Sequence, residues 1–154
     1  MGHTVQAFIA KAEVLRDAAQ NINTARVITV AQGFGLLPNT RDFYNEVGEV
    51  DGGNELPYQE FYKLSTALAN FGVECSRRGS VAYIETDYWG GEGEQAAVLW
   101  ERGEVSYEPA RGKLGQINDV LRRMGVERGD DLDEFDALGL GRYRNNEDWI
   151  EHSR

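Results

Sequence analysis

The chain has 154 residues, 41% of them hydrophobic and 27% charged, the composition of a globular protein that dissolves in water. This length fits one domain over 1–154, which buries roughly 70% of the surface its unfolded form exposes. Acids outnumber bases by 26 to 16, a net charge of −10, and such a surface repels phosphate backbones, so nucleic acid is not an expected partner.

Thr4 to Ala10 predicts a first strand, with Val5, Ala7 and Ile9 alternating against Gln6, Phe8 and Ala10. Lys11 to Asn21 predicts a helix with Val14, Leu15, Ala18, Ala19 and Ile22 on one stripe. Arg26 to Gln32 is rich in β-branched residues and predicts a second strand, broken by Gly33 and Gly35 around Phe34. Pro38-Asn39-Thr40 then caps a short helix carrying Phe43, Tyr44 and Val47. Gly48 to Pro57 reads as a loop centred on Asp51-Gly52-Gly53-Asn54. Tyr58 to Phe71 predicts a helix with Phe61, Leu64, Leu68 and Phe71 on one face and Gly72 just past its end. Val81 to Trp89 and Gln95 to Glu101 predict a hairpin, and Arg102-Gly103 turns the chain into Glu104 to Tyr107, completing a meander.

Leu114 to Met124 predicts a helix with Leu114, Ile117, Val120, Leu121 and Met124 inward and Gly125 at its end. Asp131 caps a short helix through Leu138, where Gly139-Leu140 has the form of a Schellman end. Asn145, with Asp148 three residues on, starts a last helical turn holding Trp149 and Ile150. Strands and helices follow in mixed order without βαβ alternation. The expected class is α+β, a mainly antiparallel sheet of about four to six strands with helices packed on one face.

Apolar runs such as that from Ala96 to Trp100 fall far short of the roughly 18 residues a membrane helix needs. Met1-Gly2-His3-Thr4 lacks the charged-then-apolar layout of a signal peptide. Cys75 is the only cysteine, which excludes an internal disulfide and fits a reducing compartment. The cytoplasm is the expected location, with no membrane association.

The negative charge is uneven. Residues 80–110 hold seven acids against Arg102, residues 127–136 six against Arg128, and residues 40–60 six against Arg41. Charge of this kind keeps a protein soluble, and it also steers a basic partner into contact. The stretch from Tyr83 to Trp100 is the densest, with four carboxylates and four aromatic residues around Gly90-Gly91-Glu92-Gly93. Alternation along its first strand divides Ala82, Ile84, Thr86 and Tyr88 from Val81, Tyr83, Glu85 and Asp87. Glu85 and Asp87 then stand about 6–7 Å apart on one face. They read as solvated charges on an open sheet face, or as a cation-binding or acid–base pair.

The glycine-rich turn is not a phosphate cradle. It leads into a strand instead of a helix, lacks a following Lys-Ser/Thr, and carries Glu92 and Glu94. Its glycines are expected to serve the turn, with positive φ. Cys75, beside Arg77 and Arg78, reads as an inert buried thiol, since His3 and His152 lie at the two ends of the chain. Acids between Asp130 and Asp136 fail the calcium-loop pattern, with Phe135 and Asp136 where a ligand and a glycine belong. Neither a metal nor another cofactor is expected. In the run from Gly139 to Trp149, Arg142, Tyr143 and Trp149 are residue types that anchor interfaces. The same residues also suit an ordered tail whose aromatics pack on the sheet.

The chain resembles a group of small bacterial proteins of unassigned function. The resemblance rests on Gln32-Gly33-Phe34-Gly35-Leu36-Leu37-Pro38, the hairpin from Ala82 to Gln95, Ile117-Asn118, and the stretch from Asp133-Glu134-Phe135-Asp136 to Glu147-Asp148-Trp149. It implies a bacterial, cytoplasmic, single-domain protein and brings no ligand or mechanism with it. Small size and acidity also resemble those of immunity proteins, which cover the active site of a basic toxin. The first expectation is therefore a binding protein with no catalytic residues. Its contact residues would be Glu85, Asp87, Tyr88, Trp89, Glu92, Glu94 and Gln95, with Arg142, Tyr143 and Trp149. The alternatives are a small hydrolase or cation-dependent enzyme using Glu85 and Asp87, and a structural homo-oligomer.

Overall fold

Four strands carry apolar residues at consecutive positions, and this places the sheet in the middle of the molecule. Ala7 to Ala10, Phe34 to Pro38, Val81 to Thr86 and Ala96 to Trp100 are all buried. The computed structural model describes residues 2–47, 56–89, 92–110 and 113–153. Its strands are β1 (Gln6–Lys11), β2 (Ile28–Thr29), β3 (Phe34–Pro38), β4 (Val81–Trp89), β5 (Glu92–Glu101) and β6 (Glu104–Tyr107). Its helices are α1 (Ala12–Ala19), α2 (Arg41–Val47), α3 (Thr66–Cys75), α4 (Gln116–Arg123), α5 (Glu134–Ala137) and α6 (Asn146–Glu151). The strands form one six-stranded sheet in the order β2-β3-β1-β4-β5-β6, and every neighbouring pair is antiparallel. This is the α+β architecture that the order of elements indicated.

The helices, expected on one face, cover both. One face, with Val5, Ala7, Ile9, Ile84 and Leu99, packs against Ile117, Leu121, Leu138 and Trp149 from the C-terminal third. The other, with Phe8, Leu37, Tyr83, Val98 and Trp100, packs against Leu15, Phe43, Leu64 and Leu68. A strand that is apolar at every position must be covered on both sides. An alternating pattern would have left one side to water.

Three elements differ from the sequence reading. The second main strand is β3, and Ile28–Thr29 forms only a short edge beside it. The chain reverses between them through Gln32 (φ 60°) and Gly33 (φ 79°). Gly33 therefore turns the chain into β3, and Gly35 lies within the strand. The helix expected from Tyr58 begins instead at Thr66, because the Ser65 side chain caps it by accepting from Leu68 N–H at 3.2 Å. Gly72 lies inside this helix, where a Cβ would stand 2.3 Å from Trp100 Cζ3. It admits the indole of Trp100 and does not end the helix. Leu114, placed inward by periodicity, precedes α4 and is 75% exposed.

The signals at Thr40, Gly139 and Asn145 are as read, and the cap expected at Asp131 is displaced. Thr40 starts α2, its hydroxyl accepting from Phe43 N–H at 3.2 Å. Gly139 N–H donates to Asp136 O at 2.9 Å and Leu140 N–H to Phe135 O at 3.1 Å, a Schellman end. The cap of α5 is Asp133, two residues beyond Asp131, and Asn145 caps α6. Most of the expected loop over 48–57, and the Gly90-Gly91 turn, lie outside the described residues.

Candidate functional site

The hairpin register sets the chemistry of one sheet face. Glu85, Asp87 and Trp89 alternate along β4, and Ala96, Glu94 and Glu92 stand opposite them on β5. Gln6 of β1 is the partner of Glu85 on the other side. Here the sheet runs beyond its helical cover and a concavity of about 520 Å³ opens. Glu85, Asp87 and Glu94 line it from the strands, and Glu60, Tyr62 and Lys63 line it from the segment before α3.

Glu85 differs most from its expected setting. Alternation makes it a solvated charge or one half of a cation-binding or acid–base pair, and the structure leaves it only 5% exposed. Its Oε1 accepts from Tyr62 N–H at 2.7 Å, and its Oε2 accepts from Lys63 N–H at 2.9 Å and from the Tyr83 hydroxyl at 2.8 Å. Residues 58–65 bring Phe61 and Leu64 into the core and lay their backbone over this carboxylate. Burial pushes the Glu85 carboxyl above its ordinary value, against the hydrogen bonds from Tyr62, Tyr83 and Lys63 that favour its ionised form. Burial and the adjacent Glu85 charge hold the Tyr83 hydroxyl well above its ordinary value, so it stays a donor.

The network continues inward. Asn39 Nδ2 donates to Tyr83 Oη at 3.1 Å and to the Lys63 carbonyl at 2.8 Å. Asn146 Nδ2 donates to the Asn39 carbonyl and to Gln6 Oε1, both at 3.1 Å. A continuous polar path thus ties the concavity to the start of α6. The donors of this path are paired, while the buried Asn39 Oδ1 has no partner among the described residues.

Asp87, Glu92 and Glu94 are exposed. Asp87 stands directly opposite Glu94, and a cross-strand pair of like charges is unfavourable. The ion pairs among the described residues join Arg77 to Glu74, Arg78 to Asp17, Lys113 and Arg122 to Asp119, and Arg122 to Glu134. None of them reaches the hairpin carboxylates or Glu60. Among the described residues, no three His, Cys, Asp or Glu side chains converge as metal ligands. Trp89, 77% exposed, continues the acidic face beyond Asp87, and Tyr62, 70% exposed, stands at the opening.

Tyr88 and Trp89, expected to act together, point to opposite faces because they are consecutive in a strand. Tyr88 is half-buried, and its hydroxyl accepts from Gln95 Nε2 at 2.6 Å. Gln95 Oε1 accepts from Ile117 N–H at 2.9 Å, so its amide anchors α4 instead of standing free for a partner. Gly93 does not have positive φ. A Cβ there would lie 2.2 Å from the Asp87 carbonyl oxygen and 2.8 Å from Tyr88 Cδ1, so the residue serves close approach.

The C-terminal trio lies elsewhere. Trp149 is only 4% exposed and belongs to the core. Tyr143 meets Trp149 edge-on at 4.8 Å and stacks on His152 at 4.4 Å, and Arg142 lies 5.6 Å over the Tyr143 ring. None of the three lines the acidic concavity. Cys75 is buried, and desolvation pushes its thiol up to about 12, as suits an inert core residue. No described helix is long and apolar enough to cross a membrane.

Glu60, Tyr62, Lys63 and Gln6 are site residues that sequence reasoning did not single out. The Ser65 cap was the available signal, since it moves the helix start and frees 58–64 to be a wall. No family model, curated protein or solved structure matches the chain.

Proposed function

We propose that the protein binds a basic protein partner, with Lys or Arg side chains entering the concavity beside Asp87, Glu94 and Glu60, and Trp89 and Tyr62 packing at its rim. The observation that carries this reading is the set of carboxylates, unpaired with any described cation, lining a concave surface whose backbone Glu85 holds in place. A bound cation relieves the Asp87–Glu94 repulsion, and exposed aromatics beside a charged pocket are typical anchors. The net charge of −10 adds steering. An immunity-type inhibitor is the form of this reading in which the partner is a toxin or effector whose basic site is covered.

The test is capture from the native host on immobilised wild-type protein and on an Asp87→Lys/Glu94→Lys variant, with mass spectrometry of the bound fraction. A basic protein retained by the wild type and lost by the variant supports the proposal. Identical bound fractions overturn it.

One observation favours a second reading, a hydrolase using Glu85 and Asp87: both line the concavity, and burial raises the Glu85 carboxyl. The binding reading is preferred because Glu85 already accepts from three protein donors, which favour the anion over proton exchange with a substrate.

A further inference from the structure

The opposite face of the same hairpin holds a second cavity, of about 280 Å³, lined by His3, Tyr88, Gln95, Ile117, Asp133 and Phe135 together with Thr86 and Asn118. Its polar groups are oriented from behind. Gln95, fixed by Ile117 N–H, donates to the Tyr88 oxygen, so Tyr88 keeps its own proton to give. Asn118 Oδ1 accepts from Phe135 N–H at 2.8 Å, and its Nδ2 donates to Asp133 Oδ2 at 3.2 Å. Asp133 Oδ1 accepts from Asp136 N–H at 2.8 Å, and each oxygen retains a lone pair.

His3 is held as well. Its Nε2 faces the Leu140 carbonyl at 3.1 Å and so donates, and its Nδ1 lies 2.7 Å from the Thr86 hydroxyl. The ring meets Phe135 edge-on at 5.5 Å. Asp133 is the one acidic side chain of the lining. Bare Gly93 lets the Tyr88 ring lie across the strand.

We infer that this cavity binds a small planar amino-heterocycle, whose N–H groups donate to Asp133 and whose ring nitrogen accepts from the Tyr88 hydroxyl while its apolar body lies against Phe135 and Ile117. A pocket with few polar groups, each fixed by a neighbour, spends little of its binding energy on ordering. The Asp133 charge repels anions and selects N–H donors. Thr86 and Gln95 border both cavities, but Asp133 and Phe135 line this one alone, so shifts at those two separate its test from that of the partner proposal.

The experiment is a heteronuclear NMR titration with 2-aminobenzimidazole as probe and benzoate and methyl glucoside as comparisons. Saturable shifts confined to Tyr88, Gln95, Asn118, Asp133 and Phe135 are expected with the amino-heterocycle alone. Asp133→Asn, which keeps a good helix cap, and Tyr88→Phe each weaken binding by about tenfold, the loss of one good hydrogen bond. Absence of saturable shifts overturns the inference, as does equal binding of benzoate or the glucoside at these residues, or unchanged affinity in both folded variants.

Discussion

Glu85→Ala removes the acceptor of three donors at once: Tyr62 N–H, Lys63 N–H and the Tyr83 hydroxyl. Hydrogen bonds to a charged group contribute about 1.5–3 kcal/mol each. The full sum is not expected, because Tyr62 and Lys63 are exposed residues beside the concavity, where water replaces part of the loss. Tyr83 is fully buried, and its orphaned hydroxyl proton costs about 1–3 kcal/mol. Removing a buried charge returns some stability. The balance is a loss of about 2–4 kcal/mol, read as a lower midpoint in urea unfolding.

The damage should also be local first. Residues 58–65 hold Phe61 and Leu64 in the core, so amide hydrogen exchange at Tyr62 and Lys63 should quicken more than exchange in β4. Glu85→Gln presents an NH₂ group to one of the three donors and is expected to cost about 1–3 kcal/mol. Stability of Glu85→Ala within about 0.5 kcal/mol of the wild type, the usual range of a neutral surface change, with unchanged exchange at Tyr62 and Lys63, would refute the assignment of Glu85 as the anchor of the wall.

Gly72→Ala places a methyl 2.3 Å from Cζ3 of the buried Trp100 ring, and overpacking of about 1–3 kcal/mol should exceed the ~1 kcal/mol helix gain from alanine. A higher melting temperature in this variant would contradict that packing. Burial chiefly holds His3 below its ordinary value of 6.5, so the unfolded chain takes up this proton first as pH falls. Its contribution to stability is therefore full above that value and declines as pH drops through the folded value. His3→Gln should flatten this part of the pH–stability profile, and an unchanged slope would remove His3 as its source. For Glu85 the sign is opposite: its raised carboxyl makes stability fall as pH rises from the ordinary 4.5 through the folded value, and Glu85→Gln should abolish that fall.

The β4–β5–β6 meander, the Thr40 and Asn145 caps and the Schellman end at Gly139 were legible because each rests on residues close in sequence. The segment 58–65 was not. Its apolar spacing imitates a helix, and the Ser65 cap signal competes with that spacing in the sequence. β3 was hidden by Gly35, a residue usually disfavoured in strands. The burial of Glu85 could not be read from alternation, because the cover over that face comes from residues more than twenty positions earlier in the chain. The sharing of one face by Glu85 and Asp87 was legible from the two-residue period. Tyr88 and Trp89 were subject to the same period, which sends them apart and leaves only Trp89 on the acidic side. The cavity around His3 and Asp133 joins residues from both ends of the chain and has no local signature.

The most direct test of the acidic concavity as a recognition surface is a heteronuclear NMR titration with a short arginine- and lysine-rich peptide, in low and in moderate salt. Saturable shifts centred on Tyr62, Lys63, Asp87, Trp89 and Glu94 are expected, weakened by salt and abolished in Asp87→Lys/Glu94→Lys. Shifts spread equally over the acidic residues at 127–136, or unaltered in that variant, would show general charge attraction and contradict the account.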